Sequence, residues 1–558
     1  MCGIWAIIGD RPQTEHVECF MRIVGRGPDL TVLEESQPGV HLGFHRLAIV
    51  MPGDVPSEQP IVGNGLSVVC NGEIYNHKYL KEGVTIQMRN GGSDCAGIIT
   101  SFVSRGGDLR ETCASLDGVF AFVMCDANYV YLGRDPIGVR PLFYGFASNG
   151  SLIIGSEVKT IEQLCEKIDY FPPGCCATIP IAGGRSGRCI PIQQYYYIPA
   201  VADRFLSMDN TKELVRVTLK SSVEKRLMGN RQFGFMLSGG LDSSLIAAIA
   251  TKYLQHKPIA FSVGFEDSPD LDNARLVAKF LNIPHEVLII TPQQCIDIIP
   301  EVIRALETFD PLIVRCGIAH YLLCRHIAAT SDVKVLLSGE GADELFGSYA
   351  YMQRAPNALH LHKEILRRLT HLHQYDVLRC DRSTSCHGLE IRVPFLDKAF
   401  IDVVARLPPT YKLIPTKLEK HVLRSAFVGY LPEEVLWRSK EGFAEALGKT
   451  DLGDILEKYA TNIINDCEFK RRAERFPDRT PQTHEEYWYR KIFEETYCYE
   501  KIAHIVHTKV YRTASWHLVE EKENISNISK DTLNVKESEI IRFRRRSTGS
   551  MTLSAGVA

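Results

Sequence analysis

The sequence has little net charge. Its 64 Lys and Arg against 67 Asp and Glu leave a formal charge of −3 over 558 residues, which gives no global electrostatic reason to bind nucleic acid or an anionic membrane surface. No uninterrupted apolar run approaches membrane-spanning length; the helix-like stretch from Leu245 to Leu254 is broken by Lys252. The apolar segment Ile4 to Ile8 has no basic residue before it and meets Asp10 almost at once, so it does not read as a secretory leader. The 17 cysteines are odd in number and irregular in spacing, with no CxxC pair and no Cys/His cluster of zinc-like spacing. Free thiols in a reducing compartment, the cytosol, fit best. No internal repeat is visible.

What is present divides the chain by rhythm. Residues 1–195 carry short apolar runs separated by turn signals, such as Gly43 to Val50, Leu66 to Cys70, Val119 to Cys125 and Tyr129 to Leu132. These predict a sheet-rich domain, with helical segments after Ser93 and before Arg26. A linker is expected near 196–210. Beyond it, apolar runs at Gln232 to Leu237, Pro258 to Phe265, His285 to Ile290 and Lys334 to Leu337 alternate with helical patterns at Leu241 to Leu254, Asp272 to Asn282, Cys295 to Phe309 and Gly317 to Thr330. That alternation predicts a doubly wound parallel sheet over 205–515, with a mainly helical extension from about 360. Residues 520–558 are polar and patternless, include the basic run Arg542 to Arg546 before Ser547, and are expected to form a disordered tail.

Cys2 follows the initiator methionine, which is usually trimmed before a small residue. Trimming would place a thiol and a free α-amine on one residue, and an N-terminal amine of pKa about 7.7–8.0 can serve as its own nucleophile's base. Arg46 stands in the run His45 to Val50. Asn71-Gly72 offers an amide and a backbone N–H together, the kind of pair that stabilises a tetrahedral oxyanion. Asp94 supplies a carboxylate at an expected helix start. Taken singly, each has a bland reading: a surface charge, or a turn.

Together Cys2-Gly3-Ile4, Arg26-Gly27-Pro28-Asp29, Asn71 to Asn76 and Gly133-Arg134-Asp135 resemble the glutaminase domain of N-terminal-nucleophile glutamine amidotransferases. The resemblance implies an αββα sandwich in which Cys2 attacks the glutamine amide and Asn71 with Gly72 forms the oxyanion hole. It implies that Arg46 pairs with the α-carboxylate and Asp94 with the α-ammonium, and that Leu47, Ala48, Ile49, Val50 and Glu73 line the pocket. The chain departs from the pattern at Gly25, where the family has His, and at Ala96, where it often has Glu. Gly25 is expected to loosen the loop.

A second site is written into one strand-to-helix junction. The apolar run Phe233 to Leu237 leads into Ser238-Gly239-Gly240-Leu241-Asp242-Ser243-Ser244 and then an amphipathic helix. Small residues and a helix N-terminus suit phosphate oxygens, and a carboxylate there makes sense with a cation, Mg²⁺, between. The loop is not a Walker loop, which needs Gly-Lys-Ser/Thr. A second acidic loop, Ser338 to Glu344, follows the run at 334.

With Asp376-Val377-Leu378-Arg379, His387 to Asp397 and Trp437 to Glu441, these motifs resemble the glutamine-hydrolysing asparagine synthetase family from Cys2 to about Phe493. The resemblance implies that Leu237 and Val263 flank ATP, that Ser238, Gly239, Gly240, Asp242 and Ser243 bind its phosphates, and that Ser338 and Gly339 touch the nucleotide. Asp242 and Asp343 would hold Mg²⁺, Glu340 and Lys440 would be catalytic, and Asp376 with Arg379 would hold aspartate. It also implies a homodimer and a shielded ammonia passage. The segment Phe443 to Ala446 departs from the family's usual Phe-Ser-Asp-Gly. Three other readings compete: a relative that adenylates another carboxylate, an RNA-thiolating enzyme, which the balanced charge disfavours, and a protein of reduced activity that senses glutamine or ATP.

Overall fold

The computed structural model describes residues 1–50, 57–83, 85–181, 189–203, 205–413, 418–439, 447–448, 451–506 and 514. Residues Met1–Thr508 cluster as one compact unit, and it contains three sheets.

Two of them are antiparallel and belong to the first two hundred residues. One has six strands, in spatial order Lys167–Tyr170, Phe143–Phe146, Leu152–Gly155, Gly3–Ile8, Val40–Arg46 and Leu30–Gln37. The other has seven, with Gly118–Cys125 between Tyr129–Arg134 and Leu66–Ile74. Successive side chains of a strand point to opposite faces. Ile4, Ala6, Ile8, Val40, Leu42 and Phe44 therefore meet Val69, Ala121, Val123, Val130 and Leu132 between the sheets. The residues in between face outward and are covered in turn. Trp5 packs on Phe20 of the Thr14–Met21 helix, ring centroids 5.9 Å apart. Val68, Cys70, Phe120 and Phe122 pack under the Ala96–Ser104 and Leu109–Ser115 helices. Both sheets are covered on both faces, which explains why their strands read as continuous apolar runs, and the result is an αββα sandwich.

The third sheet is parallel, in the order His285–Ile289, Ile259–Gly264, Phe233–Met236, Val335–Leu337 and Glu390–Arg392. The chain builds outward from Phe233–Met236 in one direction and then returns to build in the other. The reversal leaves a crevice at the carboxyl ends of Phe233–Met236 and Val335–Leu337, the place where doubly wound sheets take ligands. Helices from Ala358–His371 to Tyr499–Ile502 form the extension.

Three features differ from the sequence reading. The helix Met208–Lys225, capped by the Ser207 hydroxyl accepting from Asn210 N, begins inside the expected linker. The fifth strand, Glu390–Arg392, has three residues and shows no period. The expected helix at Gly317 to Thr330 starts earlier, at Pro311, where Asp310 caps Leu312 and Ile313. By length and composition those 20 residues could cross a membrane, although Arg315 and Arg325 interrupt the apolar run. Val314, Ile318, Leu322 and Cys324 are buried in the protein interior, and the helix packs against Asp376–Ser385.

Candidate active sites

Cys2 sits at the mouth of the first strand, half-buried. Leu47 N–H points at its sulfur, 3.5 Å away. Burial pushes the Cys2 thiol up to about 11, against the pull of the nearby α-ammonium and the Leu47 backbone. Met1 is itself buried, and desolvation lowers its α-amine. With Met1 in place the thiol is therefore neutral at physiological pH, so reaction needs a base.

Asn71 and Gly72 lie on Leu66–Ile74, inside the strand rather than past its end. Gly72 has φ +156°, and a Cβ there would lie 2.1 Å from Val119 O, so the position takes only glycine. Asn71 is fully buried, yet neither its Nδ2 nor its Oδ1 has a hydrogen-bond partner among the described residues. A buried amide left unpaired is costly; it is explained if a ligand completes it. Asp94 is buried before the Ala96–Ser104 helix and accepts from Ile74 N at 2.6 Å and from the Ser93 hydroxyl at 3.3 Å. Burial raises its carboxyl, and the backbone bond opposes this. Arg46 ends Val40–Arg46 and donates to Ser57 Oγ. Leu47, Ala48 and Ile49 are buried and Val50 partly so. The segment they form, just past the strand's end, is tied to the second domain: Arg231 Nε donates to Ala48 O at 2.8 Å and Asn230 N to Ile49 O at 3.1 Å. Glu73, expected in the glutamine pocket, forms an ion pair with Arg392 of the parallel sheet at 3.6 Å. Burial, then Glu390 and Asp94, raises its carboxyl well above the ordinary range.

The second site lies in the crevice. Leu237 follows Phe233–Met236, and its carbonyl accepts from Ser262 Oγ beside Val263. Ser238 and Ser243 hydroxyls meet at 3.0 Å across the loop, and Gly240 caps the Leu241–Ala250 helix, with Asp242 in its first turn. Ser338 is buried after Val335–Leu337. A Cβ on Gly339 would lie 2.6 Å from Ser243 N, so glycine lets the two loops touch. Glu340 accepts from Arg379 Nη2 at 2.7 Å, and Asp376 accepts from the same nitrogen at 3.3 Å. Burial raises Glu340, and Arg379 opposes it.

Two partners were not legible in the sequence. His320 receives Arg379 Nη1 at 2.8 Å; burial and then Arg379 drive its pKa far down, so the ring is neutral and accepts. Lys420 places its ammonium between Asp242 and Asp343, 2.5 Å from the latter. Burial opposes its charge, but the two carboxylates raise its pKa. Lys420 stands in the plain run Lys417-Leu418-Glu419-Lys420 and carries no motif signal. Lys440, the 443–446 segment and the 520–558 tail lie outside the described residues.

The convergence of Asp242 and Asp343 on one ammonium makes a seat for a cation. Among the described residues no group of three or more His, Cys, Asp or Glu could hold a metal alone. Two carboxylates without a cage fit Mg²⁺, which is commonly held by one or two carboxylates plus substrate phosphates.

The sites share a buried ionic interface. Arg26 donates to Glu157 at 2.5 Å and to Asp381 at 2.8 Å, and Arg382 pairs with Glu307 at 2.5 Å. Burial alone would raise Glu157, but Lys159, Arg26 and Arg382 hold it down to about 2. Gly25, expected to loosen its loop, is instead packed against this interface: a Cβ there would lie 2.7 Å from Cys386 O.

Residues 214–360 and 353–525 match the asparagine synthase family, and residues 1–171 match the glutamine amidotransferase domain. The glutamine-hydrolysing asparagine synthetase 3 of Arabidopsis thaliana is 38% identical over 520 residues, covering 89% of this chain and 87% of the relative. The human glutamine-hydrolysing asparagine synthetase is 36% identical over 532 residues, covering 89% and 94%. Among solved structures, an allosteric regulatory enzyme of purine biosynthesis matches at 14% identity and a TM-score of 0.29, covering 66% of this chain and 78% of that one.

Proposed function

The chain belongs to the glutamine-hydrolysing asparagine synthetase family, and from that premise we propose how its residues divide the reaction. It makes asparagine from aspartate with ATP, taking nitrogen from glutamine.

At the first site the Cys2 sulfur attacks the glutamine side-chain carbonyl. The α-amine exposed when Met1 is removed takes the thiol proton. Asn71 Nδ2 and Gly72 N–H receive the oxyanion, which supplies the partner that the buried Asn71 amide lacks. Arg46 and Asp94 hold the two charged ends of glutamine. Ammonia leaves, and water releases glutamate from the thioester.

At the second site the 238–243 loop and the helix N-terminus behind it cradle the ATP phosphates. Asp242 and Asp343 would hold Mg²⁺, which would supply positive charge to offset that of the phosphates. Arg379 orients aspartate so that its β-carboxylate oxygen attacks the α-phosphorus. The adenylate carbonyl then meets ammonia, Glu340 accepts a proton from the attacking nitrogen, and AMP leaves. Lys440 belongs to this proposal as a further charge on the phosphates. Ammonia in neutral water is mostly ammonium and acyl-adenylates hydrolyse, so transfer through a sealed interior serves both steps. Cytosolic residence and a homodimer complete the proposal, to be tested by fractionation and light scattering.

The observation that supports this division most strongly is the convergence of Glu340, Asp376, Arg379 and His320 beside the phosphate loop at the sheet's reversal point. The test is direct. The purified chain is incubated with ATP, Mg²⁺, aspartate and either glutamine or ammonia. Asparagine, AMP and pyrophosphate should appear in equal amounts with either nitrogen source. Failure to form AMP with both would sink the reading.

A further inference from the structure

One helix contributes to one reaction centre and is linked to the other through a single arginine. Asp376–Ser385 is a ten-residue helix, about 15 Å long. On the synthetase side, Arg379 joins Glu340, Asp376 and His320. On the side facing the sandwich, Asp381 and Ser385 grip Arg26. Arg26 Nη1 donates to Asp381 Oδ2 and to Ser385 Oγ, each at 2.8 Å, and Nη2 donates to Asp381 Oδ1 at 3.2 Å. The remaining donor of that guanidinium, Nε, reaches Cys2 O at 3.0 Å. A chain of direct contacts thus runs from Glu340 through the helix to the backbone of Cys2.

The helix end is seated as tightly as its side chains. Cys386, its C-terminal cap, presents its carbonyl where a Cβ of residue 25 would be, at 2.7 Å. Two residues on, Gly388 has φ +66°, and its missing Cβ would lie 3.3 Å from Pro28 Cγ and 3.6 Å from Gly25 O. The turn carrying Arg26 and the turn ending the helix are packed backbone against backbone. Gly25 has no left-handed φ, so contact alone opposes a side chain there. The family pattern's histidine would not fit this packing.

We propose that the Asp376–Ser385 helix is a coupling strut and that Asp381 is a positioning residue, acting through Arg26 so that filling the aspartate site sets the Cys2 nucleophile for glutamine. This deepens the function proposed above and rests on its assignment of aspartate to Arg379. Aspartate must remake the Arg379 ion pairs with Glu340 and Asp376, so the ligand contacts one end of a rigid element whose other end is clamped to Arg26. Packed cores move as units rather than yielding continuously, and a displacement of about 1 Å at a nucleophile is enough to change its rate greatly. The two ends supply the distinct sites and the differential contacts that coupling requires.

The test uses the full chain. Glutamate release from glutamine is measured with and without aspartate plus Mg²⁺ and α,β-methylene-ATP, which fills the nucleotide site without reaction. Occupation should raise kcat/KM for glutamine in the wild type by about fivefold or more. Asp381→Asn removes the helix's charge on Arg26 and leaves the sandwich's own Glu157 in place, and Gly25→Ala pushes the Cys386 carbonyl off its seat. Each should abolish the rise while ammonia-dependent AMP formation persists. The readout is the ratio, because a merely structural defect lowers both states together and leaves it unchanged. Calorimetry of aspartate binding, with wild type and an Arg379→Ala control, tests the underlying assignment separately. Aspartate binding that is insensitive to Arg379→Ala would bring down that assignment and the strut with it. Aspartate binding through Arg379 without any change in glutamate release would overturn the strut alone. So would a wild-type rise that both variants retain.

Discussion

Replacing Lys420 by Met removes a buried cation and leaves most of its aliphatic bulk. The Lys420 side chain is 3% exposed, whereas those of Asp242 and Asp343 are 19% and 23% exposed. Its backbone has φ +56°, a left-handed conformation that costs a non-glycine residue roughly 1–2 kcal/mol, so the surrounding fold holds the ammonium in place against local strain. Breaking a fully buried ion pair from one side costs about 3–5 kcal/mol. Both carboxylates here retain some water, so about 2 kcal/mol is expected for Lys420→Met in EDTA. The same substitution should open the seat to a dication. In the wild type a free metal ion must evict the ammonium; in the variant it need not, and about 2 kcal/mol corresponds to roughly 30-fold tighter binding. Mn²⁺ titration followed by electron paramagnetic resonance, without nucleotide, reads the affinity directly. Thermal melting in EDTA and in Mn²⁺ reads the stability, and Mn²⁺ should recover what the variant loses. Equal Mn²⁺ affinity in the two proteins, or no extra recovery in the variant, would refute the idea that Asp242 and Asp343 form a cation seat that Lys420 fills.

Three other outcomes are expected. Cys2→Ala should abolish glutamine-dependent synthesis and leave ammonia-dependent synthesis intact, and intact-mass analysis should find glutaminase activity only in protein lacking Met1, since with Met1 attached the thiol sits near 11. Asn71→Ala should lower kcat for glutamate release by about 10²–10³, the usual effect of losing one oxyanion donor, with the ammonia reaction unchanged; an equal loss in both assays would point to misfolding. Burial, then Asp376 and Asp343, lifts the Glu344 carboxyl from its ordinary 4.5 to about 8. The folded state therefore holds that proton more tightly, and its stabilising effect is complete below the ordinary value and lost as pH rises through the folded one. Glu344→Gln keeps an acceptor for the Tyr349 hydroxyl, so the variant should melt increasingly above the wild type between pH 5 and 8, and a gap that does not change with pH would contradict this.

What the sequence disclosed was local chemistry, and what it withheld was tertiary. The 238–244 loop is legible because strand, small residues and helix start are contiguous, and the fold leaves them contiguous at the sheet's reversal. Asn71-Gly72 reads as a donor pair for the same reason. Lys420 could not be read, since it is 178 residues from Asp242 and resembles any solvated lysine. Nothing in the sequence says what Arg140 and Arg392 pair with, yet both are fully buried, facing Glu390 with Met1. Burial would raise Glu390, but Arg392, the Met1 ammonium and Arg140 outweigh it and hold it near 2. Glu390–Arg392 is too short for periodicity to mark it as a strand, although its register beside Val335–Leu337 is what brings those charges to the sandwich. Gly25 shows the limit most clearly. Read alone, a glycine where a family carries histidine suggests slack. Its meaning comes from Cys386, 361 residues away, whose carbonyl needs the space that a side chain would fill. A departure from a family pattern is thus as readily a tighter contact as a looser one, and only the partner across the interface decides the sign.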